Sequence, residues 1–261
     1  MNRLRDDVRD HIHGSRQSWV YHLAYMRLSK VLVLSYALEQ RGVSLAGKSI
    51  LDYGFGAGTF LRHCPRECSL FGVELYSANV EAVRKSLSKR GYNAVDLRTI
   101  GEKGWRYHAL LTRRYDLVVA SHVLEHVKEP AELVKVLTAC LTPEGYFLGV
   151  LPINERVAHE GHQWVIERRV VEEWARGANA TIVGYWELDH FTHCAVRIFH
   201  GKSAMGRVLA QGTSLCLGIL TALLGAKLWL KLSVLFGKAT GAKPAQAVFL
   251  MHRVSATCGN G

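Results

Sequence analysis

Five prolines in 261 residues leave room for long regular elements, and neither an internal repeat nor a low-complexity tract interrupts the chain. No CxxC pair occurs, because the six cysteines stand at positions 64, 68, 140, 194, 216 and 258. Such spacing does not suit a disulfide framework in a chain of this size. The thiols are expected to be reduced and mostly buried, as in a cytosolic protein. His63, Cys64 and Cys68 come near a zinc half-site, but no second pair matches them, and no metal is expected. The opening run MNRLRDDVRDHIHG carries charges of both signs and has no apolar core, which argues against a secretory signal.

What is there is ordinary globular material, with 49% hydrophobic and 21% charged residues and enough apolar surface for a sizeable core. The formal net charge is +11. A basic balance suits nucleic acid, an anionic membrane or acidic small molecules, and does not choose among them.

Residues 1–47 read as a helical region, since Tyr21, Tyr25, Leu28, Leu32 and Tyr36 recur at helix-face spacing. Strand-like runs follow at 49–52, 69–74, 93–97, 115–120, 146–151, 181–188 and 247–254. Helical stretches are expected from Thr59, over 77–90 with Ser77 as N-cap and Gly91 as stop, and over 129–141 and 165–176. Pro143-Glu144-Gly145 reads as a turn. Alternation of this kind implies an α/β fold, with a parallel sheet covered on both faces.

The most informative stretch is Leu51-Asp52-Tyr53-Gly54-Phe55-Gly56-Ala57-Gly58-Thr59. A dinucleotide-binding G-x-G-x-x-G loop would place a third glycine where Thr59 stands. The spacing here is G-x-G-x-G, and an acid precedes it. A pyrophosphate at a helix N-terminus has no use for a nearby carboxylate, whereas a cofactor bearing an ammonium and a sulfonium does. Glu74 ends the next strand, at the spacing of a ribose-binding acid.

Three segments together resemble class I S-adenosylmethionine-dependent methyltransferases that act on small molecules, such as the group in ubiquinone and menaquinone biosynthesis. They are Leu51 to Gly58, Phe71-Gly72-Val73-Glu74, and Tyr115-Asp116-Leu117-Val118-Val119-Ala120-Ser121-His122-Val123-Leu124-Glu125-His126-Val127. The resemblance covers residues 48–152. It implies a Rossmann-like, doubly wound, seven-stranded sheet with an antiparallel last strand, S-adenosyl-L-methionine as cofactor, and methyl transfer. It makes Asp52, Gly54, Gly56, Gly58, Glu74 and Leu75 cofactor residues, and it puts Ser121 and His122 at the methionine end. Adenine contacts would follow the third strand. There Arg98 to Trp105 departs from the usual acid-plus-small pattern, and Ile100 and Glu102 are taken as the contacts.

Methyl transfer is an in-line displacement that needs alignment, exclusion of water and, for a hydroxyl, a base. His122 and His126 follow the fourth strand, and His159 and His162 follow the fifth. His162 and His126 are the candidate catalytic groups, as base or orienter of the acceptor. His126 could equally serve as a helix-start hydrogen-bonding group, and His159 as a solvated loop residue. Residues 1–47 would form a helical lid on a methyltransferase domain at 48–261. Trp19, Tyr21 and Tyr25 would line the acceptor pocket or simply join the core.

The run Val208–Ala226 is uncharged. A single membrane span there would carry the last strand away from its sheet, so a helical hairpin broken near Gly225 fits better. For this insertion at 203–240, a cap over the pocket, a homodimer contact, and contact of 203–243 with an anionic membrane all stay open. The expected partner is a small-molecule acceptor, lipophilic if the membrane is touched. The expected location is cytoplasmic, with peripheral membrane attachment as the alternative. Nucleic-acid methylation is disfavoured, because Ser-His-Val-Leu stands where an amino-methylating N/D-P-P-Y/W motif would be. An NAD(P)-dependent Rossmann oxidoreductase and a non-catalytic interaction module remain as rivals.

Overall fold

The computed structural model describes residues 22, 24–101, 109–154, 166–192 and 204–254. The apolar runs become seven strands: β1 Ser49–Tyr53, β2 Ser69–Glu74, β3 Val95–Thr99, β4 Tyr115–Ser121, β5 Leu141–Pro152, β6 Ala180–Leu188 and β7 Gln246–Arg253. They form one sheet in the order β3-β2-β1-β4-β5-β7-β6. Strands β1 to β5 pair in parallel, and β7 inserts antiparallel between β5 and β6. The expected sheet with its reversed last strand is therefore present.

Six helices are described: α1 Tyr25–Gln40, α2 Ser77–Lys89, α3 Pro130–Ala139, α4 Arg168–Gly177, α5 Ala204–Leu224 and α6 Ala226–Thr240. Successive strand residues point to opposite faces, so the sheet feeds two cores. Ile50 and Leu117 pack with α1, α2 and Trp229 of α6 on one face. Leu51 and Val118 pack with α3 and α4 on the other. Tyr25, expected either in the pocket or in the core, is fully buried in the core.

Several local expectations change. The helix expected from Thr59 shrinks to a 3-10 turn at Leu61–His63. Cys64 is extended there, as the residue before Pro65 tends to be. Tyr76 is the N-cap of α2 and Ser77 its first helical residue, with no side-chain cap. Strand β3 lies two residues later than expected. Strand β5 begins at Leu141 rather than Tyr146, and the expected turn is an irregularity within it. Leu141 faces Tyr115 there, while Tyr146 already faces Leu117.

The apolar insertion breaks where expected. Gly225 sits between α5 and α6 at φ 76°, a left-handed angle that favours glycine. Among the described residues no helix is long and apolar enough to cross a membrane.

Candidate active site

Asp52 and Glu74 come from neighbouring parallel strands, Asp52 opposite Gly72 on β2 and Glu74 at that strand's end. Both are buried, at 3% and 7% exposure. Burial, and then the nearby Glu74 carboxylate, push the Asp52 pKa up to about 8. The two acids thus feel one another in a single site.

The glycine loop wraps around Glu74. Gly54, Gly56 and Gly58 all take positive φ, which lets the chain turn tightly between β1 and the next segment. The Gly56 N–H donates to Glu74 Oε2 at 2.8 Å, and the Tyr76 N–H to Oε1 at 3.4 Å. Burial raises the Glu74 pKa, while these N–H groups, that of Leu75 and the Asn79 side chain pull against the rise. A Cβ at Gly58 would meet Val83 of α2 at 2.6 Å, whereas one at Gly56 would meet nothing within 4 Å. The loop is therefore packed on one side and open at Gly56. His22 lies against its far end, with Nδ1 2.9 Å from Thr59 Oγ1.

A second polar cluster gathers after β4. His122, at φ 55°, has Nδ1 3.4 Å from Glu125 Oε1 and Nε2 3.2 Å from Gln246 Oε1. Gln246 donates through Nε2 to Asp189 Oδ2 at 2.8 Å and to Ser29 Oγ at 3.1 Å. Asp189 also accepts from the Tyr25 hydroxyl and from the N–H and hydroxyl of Thr192. Four donors converge on this one buried carboxylate, with the NH2 end of the Gln246 amide facing it. The Gln246 oxygen then turns to His122, so Nε2 must carry a proton. The opposite nitrogen, Nδ1, faces Glu125. Burial and the Lys30 charge lower the His122 pKa. Burial works to raise Glu125, but the hydrogen bond and charge of His122 outweigh it, and its pKa is lowered.

The structure thus brings Asp52, Gly54, Gly56, Gly58 and Glu74 together at the β1 and β2 ends, and Ser121 and His122 at the end of β4. Ile100 is buried, and its N–H donates to the Glu74 carbonyl at 2.9 Å. Leu75 is half exposed. His126 is 46% exposed, with Nε2 3.9 Å from Glu125 Oε1. Glu102, His159, His162, Trp19 and Tyr21 lie outside the described residues. His63 and Cys68, weighed above for zinc, instead bond the carbonyls of Thr59 and Leu45.

Sequence reasoning missed Asn79, Glu125, Asp189 and Gln246. Glu125 lay inside a quoted motif without a role. Asn79 could have been noticed as an amide on the first turn of α2, just after Glu74. Asp189 and Gln246 gave no signal, since their partnership spans 57 residues.

A family model described as a methyltransferase domain matches residues 26–203. The chain belongs to this family of class I S-adenosylmethionine-dependent methyltransferases. Among curated proteins, the methyltransferase is similar to the ubiquinone biosynthesis O-methyltransferase of Actinobacillus pleuropneumoniae, with 28% identity over 123 residues. That match covers 46% of this chain and 52% of the relative. The Acinetobacter baumannii (strain AYE) protein of the same name is 25% identical over 131 residues, 49% of this chain and 54% of the relative. The chain thus spans about half the length of the curated relatives it matches. Coclaurine N-methyltransferase, solved with N-methylheliamine and SAH, shares the fold at TM-score 0.56 and 13% identity, over 87% of this chain and 71% of that one. The [4+2]-cyclase SpnF does so at 0.55 and 16%, over 86% and 81%.

The cofactor of this methyltransferase is S-adenosyl-L-methionine, and the residues present fit it. A buried Asp52 whose ionisation is made costlier by burial and by the Glu74 charge is a site for a cation, which the ammonium and sulfonium groups supply. The Ser121 hydroxyl is buried without a hydrogen-bond partner among the described residues, an orphaned group at the end of β4 that a ligand would satisfy.

Proposed function

We propose that this methyltransferase moves the methyl group of S-adenosyl-L-methionine onto an oxygen or nitrogen of a small, lipophilic acceptor. The observation that carries the cofactor half is the Asp52–Glu74 pair, two buried acids at adjacent strand ends around a glycine loop open at Gly56. Asp52 would take the ammonium, Glu74 the ribose hydroxyls, and Ser121 and His122 the methionine end, with Leu75, Ile100 and Glu102 toward the adenine. Bound there, the cofactor supplies the activated methyl and its own leaving group.

The protein's part is alignment, dryness and proton management. His126, half exposed beside buried Glu125, and His162 are assigned as base or orienter of the acceptor. Residues 1–47 act as a lid, and His22 against Thr59 supports that placement. A quinone precursor fits the acceptor class, because the curated relatives carry ubiquinone biosynthesis in their names.

Thermal shift distinguishes the cofactors first, since a true ligand of the folded state raises the melting temperature. S-adenosylhomocysteine is expected to stabilise the chain and NAD to leave it unchanged; the reverse would favour an oxidoreductase, and silence from both a non-catalytic module. A radiolabelled methyl-transfer screen over metabolite and lipid extracts then identifies the acceptor, and label only in water-soluble products would remove its lipophilic character. His162→Ala is expected to lower turnover more than S-adenosylhomocysteine affinity; unchanged turnover takes His162 out of the mechanism.

A further inference from the structure

Helices α5 and α6 bury Trp229 and Leu230 on one side and still present a second apolar stripe to water. A helix on a protein surface normally turns its apolar stripe inward and its polar face outward. Here Ser214, Thr221 and Ser233 are buried, at 6%, 1% and 0% exposure. The Thr221 hydroxyl donates to the Leu217 carbonyl, and Ser233 Oγ accepts the His190 N–H at 2.8 Å. Leu230 is buried at 2% exposure, but most of the other leucines point out. Leu220, Leu223 and Leu224 on α5 are 46%, 77% and 41% exposed. Leu228, Leu232 and Leu235 on α6 are 47%, 37% and 61% exposed. Of the eleven large hydrophobic side chains exposed among the described residues, nine lie on these two helices. They meet at the Gly225 break, so the most exposed side chain, Leu223, stands at a corner.

The charge around this corner has one sign. Every Asp and Glu of the chain lies at or before Asp189, whereas eight Lys and Arg follow it. The end of the chain therefore carries most of the formal charge of +11. Lys227, Lys231 and Lys238 are exposed on α6 itself. Lys231 also lines an apolar cleft of about 310 Å³ with Tyr36, Leu188, Leu230, Val234 and Leu235.

We infer that the corner of α5 and α6 is a docking surface for an anionic phospholipid bilayer, lying in the headgroup region without crossing it. Exposed leucines supply the apolar area, and lysines among them meet the lipid phosphates. A second copy of the chain would bring the same lysines against themselves, a like-charge contact that opposes association. A single crossing conflicts with β7, which follows α6 and must return to the sheet. The inference does not depend on which acceptor is methylated.

Flotation of the full chain with vesicles tests it. The chain is expected to float with vesicles of phosphatidylcholine and phosphatidylglycerol in equal parts, and to stay behind with phosphatidylcholine alone. A double variant, L223E with L228E, should abolish flotation. Reversing two cations, K227E with K231E, should weaken it about tenfold or more, at about 1 kcal/mol per cation near an anionic surface. Unchanged thermal unfolding of both variants shows that the fold is intact. Equal flotation with both lipids, none with either, or flotation untouched by the leucine changes would overturn the inference. So would light scattering that finds a stable dimer split by L223E with L228E, because a second copy would then cover the face. Failure of S-adenosylhomocysteine to bind would sink the methyltransferase reading and leave this result standing, since flotation needs no cofactor.

Discussion

Two regions of this protein treat charge and grease in opposite ways. At the ends of β1 and β2, Asp52 and Glu74 are withdrawn from water and set beside one another, so Asp52 holds its proton up to about pH 8. At the corner of α5 and α6, leucines face outward and hydroxyls are hidden. Each arrangement costs stability in the isolated chain: buried acids resist ionisation, and exposed leucines forgo burial worth about 1.5–3 kcal/mol each. Neither is a solution to folding alone. Misplaced polarity of both kinds is what a ligand or a surface would correct, a cationic cofactor in one place and a lipid headgroup layer in the other.

The sharpest way to break the comparison is to remove an acid. Glu74→Ala and Asp52→Ala should each weaken S-adenosylhomocysteine binding by about 100-fold, since charged hydrogen bonds contribute roughly 1.5–3 kcal/mol. Titration calorimetry reads this directly, and wild-type affinity in both variants would dissolve the site.

A second test uses pH. The folded-state pKa of Asp52 lies above its ordinary value of 3.8. The folded state therefore holds a proton that the unfolded state has released, and this group costs stability progressively as pH rises from about 4 to about 8. Asp52→Asn should raise the melting temperature at pH 8 by roughly 4 °C, taking about 1–2 kcal/mol of relief at about 2–4 °C per kcal/mol. Cofactor binding should run the other way. Affinity for S-adenosylhomocysteine in the wild type should climb between pH 6 and about 8, as Asp52 ionises, and then level off. A flat profile would mean that Asp52 does not meet the ammonium.

The polar chain behind His122 gives a smaller effect. Gln246→Leu leaves Asp189 short of a donor and frees the Nε2 side of His122. A loss of about 1–3 kcal/mol in chemical denaturation is expected. An unchanged midpoint would mean that the amide does not hold the two residues.

Smallest should be changes at the corner itself. Gly225→Ala forces a Cβ into a left-handed angle, though into open space, and should cost about 1–2 kcal/mol. Leu223→Ser should leave stability within about 0.5 kcal/mol, because the side chain is 77% exposed. A loss much larger than that would show that Leu223 is packed in solution, against another copy or another part of the chain.

The cluster at the β1 and β2 ends was legible in the sequence because it is local. Asp52 and Glu74 lie in the last residues of their strands and the three glycines follow β1, so the period of the apolar runs fixes position and the G-x-G-x-G spacing fixes the turn. The break at Gly225 was legible for a like reason, since a glycine inside an uncharged helical run, with a strand still to be returned to the sheet, leaves few alternatives. The helix expected after Thr59 failed because Pro65 ends it early, a signal that lay in the sequence and was given too little weight.

By itself, then, the order of residues determined which segments are strands, where the chain bends, and that two acids stand at neighbouring strand ends, because all of these follow from spacing along the backbone. Only the tertiary structure decided that Asp189, Gln246 and His122 form one hydrogen-bonded row, and which faces of α5 and α6 look outward. Periodicity groups residues onto a helix face, but whether that face meets protein or solvent depends on what packs beside it. Here the core takes the side with Trp229, Leu230 and the hydroxyls and leaves Leu223, Leu228 and Leu235 to the outside.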